Sequence, residues 1–447
     1  MELPDATLGW LLSLAACGQR RTIEFGEAKL PAAIGPPAAP SHVWPQAGMP
    51  MLRADDSPGY WAGRGPAVFV KGGERYGHDH HDRFGIVFHA NARPVYPDVM
   101  QMMYEIKEVG LAESSVNHNL LLVDGQNTPA NVPTAYRHAF DPERKFFSMR
   151  GEVQPGVQVE RILCLAREYL LDATLVESDA EHAYDWVVHG LGRAHPDAPD
   201  QFTRSSDLRR YGTGNSYRWL EDERSAKRND DVAIDVENNG VYSRKPAGIA
   251  DAEWNWWYLP QCYQMPWGPE IFRHTGVRLR MLGATGSTVY LCKNPQRHGA
   301  VDAELHPEES GPAIIVRRQA KTTAFLALRE PYERNPRVLR FGALHAGLGQ
   351  LAVRVTASDF EDAFCASNGP LAGKGSGKIS NDADSREEFG FTGEMHARRS
   401  AGRLVVRGEV SSFCIYAPEV VGTQGLTTLT VKHELGTACP SIEASRR

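Results

Sequence analysis

The sequence predicts an all-β protein. The expected form is an antiparallel two-sheet β-sandwich with a smaller β-rich C-terminal portion and a short irregular, partly helical N-terminal segment. Two observations point there. From about Ala67 onward, short runs rich in Val, Ile, Tyr and Phe recur, bounded by Gly, Pro, Asn and Asp, which is the pattern of strands and turns. No fixed-period repeat accompanies them, which argues against a propeller or solenoid. The 447 residues exceed what one core usually serves, so three parts are expected: 1–64, 65–335 and 336–447.

The N-terminal part offers one short helix near Asp5–Cys17, then the Pro/Ala-rich stretch Leu30–Pro37, which reads as linker. Leu14-Ala15-Ala16-Cys17 resembles a lipoprotein cleavage box, but Glu2 and Asp5 stand where a signal would be basic, so a helix of an upstream domain is the preferred reading. Strands are then expected at Ala67–Lys71, Arg83–Ala90, Arg93–Val99, Asn119–Asp124, Val159–Leu165, Glu168–Leu175 and Tyr184–Leu191. Later ones fall at Val277–Leu282, Thr288–Leu291, Ala313–Arg317, Thr322–Leu328, Leu404–Arg407, Ser411–Tyr416 and Thr427–Lys432. The polar stretches Arg193–Asp231 and Asn368–Arg386 read as insertions or loops. Trp254, Trp256, Trp257 and Tyr258 form a dense aromatic run, more often a core plug than a sugar platform.

A net charge of -6 with no basic stripe argues against nucleic acid as a partner. No segment holds the ~18 apolar residues that span a bilayer. Seven widely spaced cysteines with no CxxC pair suggest buried thiols rather than a cysteine zinc site or a disulfide framework.

The chemistry concentrates in Gly77-His78-Asp79-His80-His81-Asp82, where three histidines fall within four positions. His78 and His80 share one side of an extended chain, because side chains alternate. A hairpin turning near Asn91 brings Asp98 back towards His80, and His118 reaches the same place if its strand lies beside that hairpin. Two imidazoles and a carboxylate leave one open position, a common zinc arrangement. Asp82, Asp79 or Asn119 could fix the imidazole tautomers from outside. Spacing alone leaves a surface histidine cluster and a cupin-type iron or manganese site equally open.

The run Gly77–Gly85, the following Pro97-Asp98 and the strand His118-Asn119-Leu120-Leu121-Leu122-Val123-Asp124-Gly125 resemble motifs of heparinase II/III-like polysaccharide lyases. Pro155-Gly156-Val157, Glu160-Arg161 and Tyr184–Leu191 follow in that family's order, and the resemblance covers roughly 65–191 well. It implies zinc held by His80, Asp98 and His118, with His78 facing the substrate cleft and taking part in proton transfer. It also implies β-elimination at a uronic acid residue of a heparan-type, alginate or other acidic polysaccharide or oligosaccharide, outside the cytoplasm, in the periplasm or secreted. The family places a helical toroid before the sandwich, carrying the acid tyrosine and the groups that grip the carboxylate. Residues 1–64 are too short for it, so a separate helical chain is a possible partner. A non-catalytic carbohydrate-binding or structural sandwich is the competing class. Tyr76, Tyr96 and Tyr104 are not assigned as the acid. His81, His89 and His189 read as packing or surface residues, and Arg278 and Arg280 as a solvated strand face.

Overall fold

The computed structural model describes residues 36–44, 49–61, 65–72, 80–91, 93–98, 113–129, 132, 134–190, 192–211, 216–237, 275–294, 311–375, 387–400, 403–408, 412–418, 426–432 and 442–444. A five-stranded antiparallel sheet comes first: β1 (His42–Trp44), β2 (Met49–Arg53), β3 (Ala67–Val70), β4 (Ile86–Ala90) and β5 (Arg93–Tyr96), in that spatial order. It therefore begins inside the segment expected to precede the sandwich. β1 has only three residues and β2 contains Pro50, so neither shows a readable alternation.

The large sheet has twelve strands. They are β6 (Leu121–Val123), β7 (Thr134–Phe140), β8 (Lys145–Gln154), β9 (Val157–Leu165), β10 (Leu170–His189), β11 (Arg193–Pro196), β12 (Thr203–Arg204), β13 (Glu221–Lys227), β14 (Val232–Glu237), β15 (Thr275–Met281), β16 (Thr288–Asn294) and β17 (Gly311–Glu333). The two stretches expected on either side of residue 180 are one strand, β10, with an irregularity between Glu177 and His182. β17 likewise unites two expected strands, pairing β16 with its first half and β15 with its second. The polar stretch after Arg193 is not merely loop. It carries β11 to β13 and a single-turn helix, α1 (Asp207–Arg210).

A third sheet contains β18 (Val338–Gly347), β19 (Gln350–Ala357), β20 (Phe360–Gly375), β21 (Glu387–Ser400) and β22 (Arg403–Gly408). β23 (Ser412–Pro418) and β24 (Leu426–Lys432) pair with each other, and β25 (Ile442–Ala444) joins β22. β20 runs through part of the expected Asn368–Arg386 loop. His78, Asp79, Tyr76, Tyr104 and the Trp254–Tyr258 run lie outside the described residues.

The large sheet is covered on both faces. On one, Leu52, Val68, Ile86 and Phe88 of the small sheet pack against Phe147, Leu163, Trp186 and Leu279. On the other, Ile162, Leu171 and Leu328 meet Val353, Val355 and Phe364 of the third sheet. This explains why β9 lacks a polar face: Glu160 and Arg161 are both buried although they point to opposite sides. Glu160 accepts from Ser148 Oγ at 2.8 Å and from the Gly349 amide at 2.7 Å, tying in the third sheet. Asp362 of β20 fastens it further, accepting from Tyr169 Oη (2.7 Å), Arg398 and Arg144. Arg278 and Arg280 are bonded rather than merely solvated: Arg278 donates to Asp235 at 2.7 Å, and Arg280 donates to the Val338 carbonyl at 2.6 Å.

Inside the sandwich, between the small and large sheets, lies a buried ion cluster. Asp172 of β10 accepts from Arg161 Nε at 2.9 Å and Nη2 at 2.6 Å, and also from Arg329 of β17. The register makes all three diagonal neighbours on one face, since Leu163 and Ala327 stand directly opposite Asp172. Arg329 also lies 5.4 Å from the Tyr96 ring centre and 5.1 Å from that of Trp186, where ring faces attract a cation. Burial alone would raise the Asp172 carboxyl, but the two guanidiniums outweigh it and hold it below its ordinary value. Because the folded value is the lower one, the stability Asp172 adds is present above the unfolded pKa of about 3.9 and is lost as pH falls through the folded value. Asp172→Asn should therefore cost about 3–5 kcal/mol in urea denaturation at neutral pH, because two buried guanidiniums lose their counter-charge. A loss below about 1 kcal/mol would show that charge does not hold this core.

Candidate metal centre

β4 and β5 form the hairpin that brings the first two candidate ligands together. Phe88 pairs with Tyr96, and the chain turns at Asn91, which adopts φ 53°. Continuing that register past β5 places Asp98 opposite the start of β4, next to the lead-in that carries His80. The lead-in is itself a tight turn. Phe84 has φ 65°, Gly85 N donates to Asp82 O at 2.8 Å, and a Cβ on Gly85 would sit 2.6 Å from that oxygen. A glycine is thus required there.

His118 arrives differently from the sequence expectation. Its strand, β6, pairs with β10 through Leu121↔Trp186 and belongs to the large sheet, not beside the hairpin. His118 lies just before β6, after a 3-10 turn at Ser115–Asn117, where the chain crosses from one sheet to the other. The three side chains still meet. One ligand atom each from His80, Asp98 and His118 lies within 4.8 Å of the others. His118 Nδ1 is 2.9 Å from Asp98 Oδ1, and the two imidazole centres are 5.2 Å apart.

The donor types suit a divalent ion, and so does the protonation of His80 and Asp98. Burial, then the neighbouring His118, push the His80 imidazole below its ordinary value, so it is neutral at pH 7. Desolvation pushes the Asp98 carboxyl up, but the charge and hydrogen bond of His118, with His80 and Lys71, outweigh it and hold it ionised below its ordinary value. Neutral imidazole and ionised carboxylate are the forms that bind metal. Donors around a tetrahedral zinc stand ~3.4 Å apart, so closure from the observed spread is small.

The surroundings fix these positions through backbone groups. Asn119 Nδ2 donates to Ile86 O at 2.9 Å and to Pro97 O at 2.9 Å, pinning the entry of β4 to the residue before Asp98. Its Oδ1 accepts from the His189 amide at 2.6 Å. Asn119 therefore orders the chain that presents the ligands, where the sequence suggested a bond to an imidazole. Asp82 is buried and takes Arg83 Nη1 at 2.8 Å, with Lys71 Nζ 3.9 Å away. His81 Nδ1 lies 2.9 Å from Thr128 O, a packing role.

Two contributors were not legible as site residues. Arg161 Nη1 donates to Asn119 O at 2.7 Å and to Phe84 O, so the buried ion cluster holds both ligand-bearing loops. His189 is buried, and burial pushes its imidazole down to about 4. Its Nε2 donates to Val116 O at 2.7 Å, and its Nδ1 accepts from Asn294 Nδ2 at 3.1 Å. Asn294 also donates to Asn117 Oδ1 at 2.8 Å, which fixes the turn ahead of His118. The available signal was a polar residue in a strand flanked by apolar ones, which does not reveal which face it occupies. Tyr96 is wholly buried in the core and cannot reach a substrate.

Asn119→Ala removes the clamp while leaving all three candidate ligands in place. It should cost about 2–4 kcal/mol in chemical denaturation, since Ile86 O, Pro97 O and the His189 amide lose a buried partner. An unchanged midpoint would show that the loops hold without it.

No family model matches the chain, and no curated protein matches it. Solved structures do. Heparan sulfate lyase HepC from Pedobacter heparinus is 12% identical with a TM-score of 0.48, over 71% of this chain and 41% of that one. A crystal structure of heparinase III is 11% identical with a TM-score of 0.48, over 74% and 43%. The heparinase III product of BT4657 is 10% identical with a TM-score of 0.47, over 74% and 42%. The chain thus spans about two fifths of the length of these structures.

Proposed function

We propose that this chain is the metal-bearing β-sandwich part of a polysaccharide lyase that cleaves a uronate-containing acidic polysaccharide by β-elimination. One observation carries the reading. Three residues from separate segments, assigned as ligands by motif resemblance, bring their donor atoms within 4.8 Å of one another. Zinc suits two imidazoles and one carboxylate, with a fourth position open. Bound there, the ion would supply a fixed positive charge and tie the β4–β5 hairpin to the large sheet.

The chemistry asks for a base, an acid and a neutralised carboxylate. The base takes the C5 proton, the C4–O4 bond breaks, a C4–C5 double bond forms, and the acid protonates the departing oxygen. The C5 proton is weakly acidic until the neighbouring carboxylate is neutralised. His78 is the residue of this chain proposed for proton transfer, with an imidazole suited to that work near neutral pH. The acid tyrosine is proposed to come from a helical half, in the same polypeptide or in a separate chain. Heparan-type chains and alginate are both candidate substrates, met in the periplasm or outside the cell.

One observation favours a binding module instead: Trp44 on the edge strand β1 and Trp61 at the end of the 3-10 turn Pro58–Trp61 are 43% and 40% exposed, and exposed indoles can stack on sugar rings. Activity separates the two readings. Joined to a matching helical half, the chain should generate the ultraviolet absorbance of an unsaturated uronate. His78→Ala should then lose ~10²–10⁴ in rate while keeping its metal and melting temperature. A binding module gives no such absorbance. For the isolated chain, a chelator should lower the melting temperature by on the order of 5 °C, and His80→Ala should abolish that response. A melting curve indifferent to chelator would remove the metal from this account.

A further inference from the structure

We propose that the joint between the large sheet and the third sheet is an acid-sensitive catch, closed by a neutral His396 and loosened when that imidazole takes a proton. The joint lies on the face of the large sheet opposite the small sheet, so the inference is independent of the metal reading.

The register sets the inner face of the third sheet. Asp362 of β20 stands opposite Arg398 of β21, and Phe364 stands opposite His396. Side chains two apart share a face, and Phe364 packs in the core against the large sheet. Asp362, His396 and Arg398 therefore point at the large sheet, where two of its turns meet them. Arg144, just ahead of β8, donates from Nε to His396 Nε2 at 3.0 Å and from Nη2 to Asp362 at 3.3 Å. The β9–β10 turn supplies Tyr169, whose hydroxyl donates to Asp362 at 2.7 Å, and Glu168, which accepts from both terminal nitrogens of Arg398 at 2.9 Å.

Arginine offers only donors and keeps its proton. The Arg144 Nε–H therefore requires a lone pair on His396 Nε2, which places the ring proton on Nδ1. The charges around the ring already balance, Arg144 and Arg398 against Asp362 and Glu168. Arg137 and Glu394 pair alongside at 2.8 Å, and on β22 the register partner of His396 is the cationic Arg407. A proton on Nε2 would break the Arg144 bond and add a surplus positive charge where His396 is only 6% exposed. Asp362 Oδ1, 3.3 Å away, favours the imidazolium, but burial and then Arg144 outweigh it and hold the imidazole below its ordinary value. Burial would also raise the Glu168 and Asp362 carboxyls, but Arg398 foremost outweighs it and keeps both ionised. His396 is thus the group of this joint that titrates in mild acid. Because its folded value is the lower one, the opened joint takes up a proton first. The catch is at full strength above the ordinary imidazole value of about 6.5 and weakens as pH falls below it.

The test follows amide hydrogen exchange of the full chain at about pH 7.5 and 5.5, corrected for the intrinsic pH dependence of exchange. Protection of buried third-sheet amides such as Leu351 and Val353 should fall severalfold in mild acid, with about tenfold as the limit set by one ordinary imidazole. His396→Gln keeps an acceptor for Arg144 but cannot titrate, so its protection should change less than about twofold over the same range. Imidazole nitrogen NMR of the wild type should show the Nδ1–H form at neutral pH and a titration below that of an ordinary histidine. Unchanged wild-type protection, an equal loss in His396→Gln, or a proton on Nε2 at neutral pH would each overturn the catch. The nitrogen spectrum decides the matter even if the glutamine variant does not fold.

Discussion

A single buried carboxylate, Asp172, holds two guanidiniums inside the sandwich, and the placement of the candidate metal centre depends on that arrangement. Charges this deep are costly to desolvate, and a counter-charge with further hydrogen bonds offsets that cost. Arg161 has both, donating to Asp172 on one side and to the carbonyls of Phe84 and Asn119 on the other. Those two carbonyls belong to the loops that present His80 and His118. The ion cluster is therefore also the joint between the large sheet and the two segments that must meet.

Around that joint, the polar bonds are made to backbone rather than to the ligands. Asn119 spans from Ile86 to Pro97, His189 and Asn294 fix the turn at Ser115–Asn117, and Ser115 Oγ donates to His81 O. Each bond sets the path of the chain, and the path sets the direction of a side chain. A site built this way is preorganised, so a metal would meet donors already gathered instead of ordering three loose segments.

Much of this was legible in the sequence, and what was not has physical reasons. The hairpin turn made the approach of Asp98 to His80 readable, while the choice of His80 over His78 and the inclusion of His118 came from the motif resemblance. The sheet membership of β6 was not, because nearness in sequence suggested the hairpin while hydrogen bonding chose β10. β10 and β17 read as pairs of strands because polar residues interrupt their middles. In β10 these residues form the irregularity after Glu177, where the strand bends without ending. The pairing of Arg161 with Asp172 was not readable because a sheet covered on both faces has no solvent side, so a charged residue in it looks like an ordinary outward position. β1 and β2 were too short, and too interrupted by proline, to show a period.

The same architecture ties the proposed chemistry to one centre, since the three candidate ligands come together where the small sheet meets the large one. The most direct measurement is anomalous diffraction at the zinc edge from crystals of the zinc-loaded chain. A single strong peak ~2.0–2.2 Å from His80, Asp98 and His118 is the predicted result. A peak elsewhere, or none at these three residues, would contradict the account.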